Sequence, residues 1–71
     1  MNTKLKNLIS RYLKCKSSDL SPDKSLKELG GHDWQIIEMA MEFEAMFNVP
    51  MDAEKALSLE KVSDWEKLIS Q

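Results

Sequence analysis

The stretch that most constrains this chain runs from Gly30-Gly31, through an uninterrupted Met-, Phe- and Glu-rich segment from Asp33 to Phe47, to Val49-Pro50. A glycine pair opens the segment and an X-Pro step closes it, so breakers at both ends frame one amphipathic helix. The helix should begin at Asp33 or Trp34 and end at Phe47 or Asn48. Asp33 is the N-cap candidate: its carboxylate would face the free N–H groups of the first turn and stabilise the helix by about 1 kcal/mol relative to alanine. Ile37, Ala40, Phe43 (or Glu44) and Phe47 trace the stripe expected to face inward. Nothing elsewhere alternates with period two over a useful length, so no sheet is expected, and no internal repeat is visible.

The remaining helices follow from similar signals. Leu5, Leu8, Ile9, Tyr12 and Leu13 recur at helical spacing, with Lys4, Lys6, Arg11 and Lys14 on the other side and Thr3 or Asn2 as cap. From Lys16 to His32 the chain is turn-like, with Leu20, Leu26 and Leu29 as anchors over the core and a helical turn expected at Ser25–Leu29. A short helix is expected around Asp52–Ala56. Ser63-Asp64-Trp65-Glu66 reads as a capping box that opens a last helix through Ile69. Trp65, Met39 and Met46 are expected in the core, and Cys15 at its edge. Together these elements predict an all-α four-helix bundle, three longer helices and one short one with a long first loop, as a single domain over residues 1–71.

Seventy-one residues leave room for a thin core and none for a deep catalytic cleft beside it, which points to a binding or carrier module and to no catalytic residues. The single cysteine, Cys15, excludes an internal disulfide and fits a reducing compartment. No apolar run approaches the roughly 18 residues that span a bilayer, and Met1-Asn2-Thr3-Lys4 does not read as a signal peptide; a cytoplasmic location is expected. The net charge of −2 conceals an asymmetry: residues 1–32 hold seven Lys/Arg against three Asp/Glu, and residues 33–71 nine Asp/Glu against three Lys. Between Asp33 and Glu54 there are six acids and no Lys or Arg. A one-signed face of this kind favours a basic partner and repels nucleic acid and anionic membrane. Neither a His32–Asp33 dyad nor a metal site built from Glu28, His32 and Asp33 has the geometry or spacing such sites need; no metal is expected.

Set in register, Glu28-Leu29-Gly30-Gly31-His32-Asp33-Trp34 resembles the signature of acyl carrier proteins, in which a Leu-Gly pair, one residue and then Asp-Ser-Leu open the second helix. The likeness runs without a gap from Ser21 to Ile69. It takes in the loop Ser21-Pro22-Asp23-Lys24-Ser25-Leu26-Lys27-Glu28-Leu29-Gly30, the positions Ile37, Met39, Ala40, Phe43 and Phe47, then Met51, Val62, and Ser63-Asp64-Trp65 with Leu68-Ile69. In that family the serine carries 4′-phosphopantetheine, the arm on which acyl groups ride. Here Asp33 takes the serine's place and His32 that of the preceding aspartate; the shifted register that puts Trp34 at the serine breaks the core pattern downstream. From Leu26 to Leu57 the chain has no Ser, Thr, Tyr or Cys. The resemblance therefore implies the carrier fold without the cofactor.

Asp33 has three readings: a helix cap, a fixed negative charge where the loaded carrier has its phosphate, and the product of a serine-to-aspartate exchange. The family's partner-reading surface of acids and a methionine falls on Glu38 and Met41. Glu42 and Glu44 are further acids, Trp34 is a contact aromatic, and Ala45 replaces a usual acid. The implied role is a monomeric docking or regulatory partner for the basic surface of a synthase, acyltransferase or adenylating enzyme in fatty-acid, polyketide or related biosynthesis. Two alternatives stand beside it: a genuine carrier whose serine was changed to Asp, and a small helical interaction module unrelated to acyl chemistry.

Overall fold

The computed structural model describes residues 1–70, which form four α-helices: α1 (Thr3–Leu13), α2 (Asp33–Phe47), α3 (Ala53–Ser58) and α4 (Val62–Ser70). A single 3₁₀ turn occupies Ser17–Asp19. The all-α, four-helix architecture is the one that the resemblance to acyl carriers implies. Among the described residues the only β-type pairing is an isolated antiparallel bridge between Ser25 and Lys61.

Helix α1 starts where Asn2, rather than Thr3, accepts the Leu5 N–H at 3.1 Å. It ends where Lys14 turns into the left-handed region at φ +54°. Leu5, Leu8, Ile9 and Leu13 are buried along one side, and Tyr12 is only half-buried.

The long loop is held at several points. Ser25 and Glu28 cap each other: the Ser25 hydroxyl accepts the Glu28 N–H at 3.0 Å, and the Glu28 carboxylate accepts the Ser25 N–H at 2.9 Å. The helical turn they open closes with Gly30 N–H bonded to Lys27 O at 3.0 Å and Gly31 N–H to Leu26 O at 2.9 Å. That pairing is a Schellman stop, and it places its left-handed residue at Gly30, φ +92°. On the far side the loop is stitched to the start of α4: Leu26 N–H donates to Glu60 O, Val62 N–H to Lys24 O and Ser63 N–H to Pro22 O, each at 2.9 Å.

Helix α2 departs from the sequence reading in two respects. His32, at φ −91° and ψ 158°, is the N-cap, and Asp33 is the first helical residue, so Asp33 is not the cap. Capping is done instead by Gln35, whose side-chain oxygen accepts the His32 N–H at 2.8 Å. The inward stripe is Ile36, Met39, Ala40 and Phe43, with Ile37 and Phe47 half-buried and Glu44 exposed. Met46 is 39 % exposed and lies outside the core expected for it.

Asp52 caps α3 by accepting the Lys55 N–H at 2.7 Å, and the helix runs two residues past Ala56. Helix α4 begins at Val62, ahead of Ser63. The side chain that reaches back there is Asp64, accepting the Lys61 N–H at 3.1 Å, in place of the expected Ser63–Glu66 box. Behind these caps Trp65 and Phe43 form the centre of the core, edge to face at 5.1 Å, with Phe47 4.8 Å from Phe43. Such pairs add about 0.5–1.5 kcal/mol beyond area burial. The indole N–H of the buried Trp65 donates to Leu59 O at 2.9 Å, so it leaves no orphaned donor.

Candidate functional site

The site follows from how α2 is launched. Gly31 lies so close to Leu13 and to the Leu26 carbonyl that a Cβ there would sit 2.8 Å and 2.9 Å from their atoms. The chain therefore leaves the Schellman stop hard against α1, and Gln35 fixes the first turn twice over. Its oxygen holds the His32 N–H, and its amide nitrogen donates to Tyr12 O at 3.2 Å. The three residues delivered to solvent are His32, Asp33 and Trp34, all exposed.

Asp33 points outward and pairs with Lys27 at 3.3 Å. Both side chains are largely solvent-exposed, so the pair contributes little stability; its effect is to set a cation beside this carboxylate. Trp34 is 61 % exposed and Met41 70 %. With the exposed Glu38 they follow i, i+4, i+7 spacing on the side of α2 opposite the core stripe, and Ala45 continues the line.

The structure separates the other two acids from that line. Glu42 turns towards α1, where it accepts the Tyr12 hydroxyl at 2.9 Å and forms an ion pair with Arg11. Its hydrogen bond is the main reason that the Tyr12 phenol is held above its ordinary value of 10.0. Glu44, on the opposite flank, accepts the Met51 N–H at 3.3 Å and steadies the connection to α3. Of the five residues expected to meet a partner, Trp34, Glu38 and Met41 share one exposed line, while Glu42 and Glu44 have internal duties.

Sequence reasoning missed the cations. Lys27 beside Asp33 and Arg11 beside Glu42 are brought in by the fold, with no local signal for either. It also missed a cleft of about 250 Å³ between the start of α2 and α3. Leu26, Ile36, Ala56, Leu57 and Leu59 line its apolar wall, with Lys27 and Asp33 at the rim. The apolar residues of the short third helix were its only trace in the sequence. Among the described residues no three His, Cys, Asp or Glu side chains gather as a metal site. No helix is long and apolar enough to cross a membrane.

A family model described as the phosphopantetheine attachment site matches residues 3–69. The match spans the helices almost end to end, in agreement with their all-α arrangement. Domains of this kind are carriers that interact with biosynthetic enzymes and are not themselves catalysts. The chain belongs to the phosphopantetheine attachment-site family and is a carrier domain of it.

Proposed function

We propose that this carrier domain acts as a docking or regulatory partner of an enzyme in fatty-acid, polyketide or related acyl-transfer biosynthesis, and that it does so without a 4′-phosphopantetheine arm. The observation that carries this reading is the chemistry at the start of α2, where His32, Asp33 and Trp34 are offered to solvent and no hydroxyl or thiol occurs from Leu26 to Leu57. Attachment needs an oxygen that attacks the β-phosphate of coenzyme A and leaves a stable phosphodiester. A carboxylate would give a hydrolysable mixed anhydride, and an indole nothing stable. Ser25, the nearest hydroxyl before this segment, is occupied in capping the Glu28 N–H. The residues present do not fit covalent attachment of the group.

What they fit is recognition. Asp33 keeps a negative charge at the positive pole of α2, and Trp34, Glu38 and Met41 make an amphipathic line behind it. A basic enzyme surface with an apolar contact point is the complement of that line.

Intact mass after incubation with coenzyme A and a phosphopantetheinyl transferase tests the reading: no gain is expected, and a gain of the arm would overturn it. A second reading, a carrier whose serine was exchanged for Asp33, draws support from a family match whose span, residues 3–69, includes that position. Asp33→Ser in the same assay separates the two. Modification of the variant favours a recently exchanged carrier, and its refusal a domain specialised for docking.

A further inference from the structure

Helix α1 carries Lys4, Lys6 and Arg11 and no acid, and Lys14 stands at its C-cap. Lys4, Asn7, Arg11 and Lys14 follow i, i+3, i+7, i+10 spacing and all are exposed, so they form one row along the outside of the bundle. The row is about 15 Å long, from the helical rise of 1.5 Å per residue. Among the described residues Arg11 pairs with Glu42, whereas Lys4 and Lys14 enter no ion pair.

An open groove of about 440 Å³ runs beside this row, lined by Arg11, Tyr12, Lys14, Trp34, Gln35 and Glu42. Its apolar parts are the Tyr12 ring, 5.6 Å from the Arg11 guanidinium, and the exposed indole of Trp34. Arg11 and Lys14 edge the groove, and Lys4 lies two turns back along α1. The acids that face it are Glu42 and Glu38, the latter close enough to bear on the Tyr12 phenol. Against Lys4, Arg11 and Lys14 they leave the face net positive. An apolar slot bracketed by cations is complementary to an apolar side chain bracketed by carboxylates.

We infer that the α1 side is a second docking surface, which takes a short acidic peptide segment of a partner protein. The segment sets one apolar or aromatic side chain between Tyr12 and Trp34 and its carboxylates on Lys4, Arg11 and Lys14. An anionic membrane is a poorer occupant, because Leu5, Leu8, Ile9 and Leu13 are all buried and α1 turns no aliphatic side chain outward to enter lipid. A nucleic acid is poorer too. Residues 33–71 hold nine Asp/Glu against three Lys, and a strand longer than the row would overlie them. This surface lies beyond the one proposed above and has the opposite preference: the α2 line suits a basic enzyme, the α1 row an acidic segment. Trp34 borders both.

Titration of the isotope-labelled protein, followed by heteronuclear NMR, tests this with a blocked helical peptide that carries glutamates on both sides of a single phenylalanine. In about 20 mM salt the amide signals of Lys4, Asn7, Arg11 and Lys14 and the indole signal of Trp34 should move, and the movement should fade in about 0.5 M salt. The same peptide with glutamine for glutamate should bind about tenfold more weakly. Lys4→Gln/Lys14→Asn removes two exposed charges, and asparagine suits the left-handed backbone at position 14. It should weaken binding about three- to tenfold, and Lys4→Arg/Lys14→Arg should bind as wild type does. No movement along the row, equal binding of the glutamine peptide, or indifference to Lys4→Gln/Lys14→Asn overturns the inference. So does tighter binding at the row by phosphatidylglycerol vesicles or by a single-stranded oligonucleotide than by the peptide. None of these results bears on whether the domain accepts the phosphopantetheine arm.

Discussion

Replacing Gly31 by alanine should damage this domain more than replacing Gly30, although Gly30 is the residue with the unusual backbone. At Gly31 the new methyl would lie 2.8 Å from a Leu13 methyl and 2.9 Å from Leu26 O. Leu13 is buried and has little room to retreat. The Leu26 carbonyl is fixed from both directions: it accepts the Gly31 N–H at 2.9 Å, and its own residue's N–H is bonded to Glu60 O. Relief therefore requires stretching the bond that ends the Schellman stop. Overpacking of this kind costs about 1–3 kcal/mol, and a weakened hydrogen bond adds about 1 kcal/mol. At Gly30 a new methyl would meet nothing within 4 Å, and only the strain of φ +92° remains, about 1–2 kcal/mol. A domain of this size has about 4–10 kcal/mol in total, and 1 kcal/mol moves its midpoint by about 4–8 °C. Thermal unfolding followed by far-ultraviolet circular dichroism should show Gly31→Ala melting about 8–32 °C below wild type, and Gly30→Ala about 4–16 °C below. A Gly31→Ala midpoint within about 3 °C of wild type would refute the packing argument. A larger loss for Gly30→Ala would show that backbone strain outweighs crowding.

Three further outcomes follow from single contacts. Tyr12 is the one tyrosine, so its ionisation can be followed by absorbance; the midpoint should lie above 10.0, and Glu42→Gln should move it down by removing the carboxylate acceptor and its charge. The Ser25 backbone N–H, and then its hydroxyl, hold the Glu28 carboxyl below its ordinary value of 4.5. The stability Glu28 contributes is therefore complete above that pH and lost as pH falls through the lower folded value, so the melting temperature of Glu28→Gln should fall less between pH 5 and 3 than that of wild type. Trp65→Phe removes the donor to Leu59 O and part of the core volume, costing about 1–3 kcal/mol in chemical denaturation. Its remaining fluorescence, from the exposed Trp34, should be red-shifted towards that of free indole, and a blue emission would contradict the exposure of Trp34.

The sequence announced the helices more clearly than their edges. Leu5, Leu8, Ile9 and Leu13 give α1 an unambiguous inward side, because the residues between them are polar. In α2 the apolar signal is spread over Ile36, Ile37, Met39, Met41 and Met46, so periodicity alone does not separate Ile36, which is buried, from Ile37, which is not. The cap errors share one cause. At Ser25, His32 and Lys61 the backbone N–H is accepted by a side chain three residues on, Glu28, Gln35 and Asp64 respectively. An oxygen acceptor at that offset marks a helix start as well as a Ser or Asp at the cap does, and Asp33 and Ser63 drew attention away from it. For the candidate site, Glu38 and Met41 came from the resemblance to acyl carriers, and their alignment with Trp34 on one exposed line became visible only with the α2 register in hand. The withdrawal of Glu42 was not legible, because its partners Arg11 and Tyr12 come from another helix.

The stitching of the loop to the start of α4 also decides how this molecule opens. Leu26 and Val62, distant in sequence, donate their N–H groups across the same junction. The loop cannot lift from the bundle without releasing the first turn of α4, and α2 is hung from that loop through Gly31. Amide protons at Leu26 and Val62 therefore exchange with solvent in a common event. A ligand that grips the beginning of α2 will slow exchange at Val62, a residue it never touches.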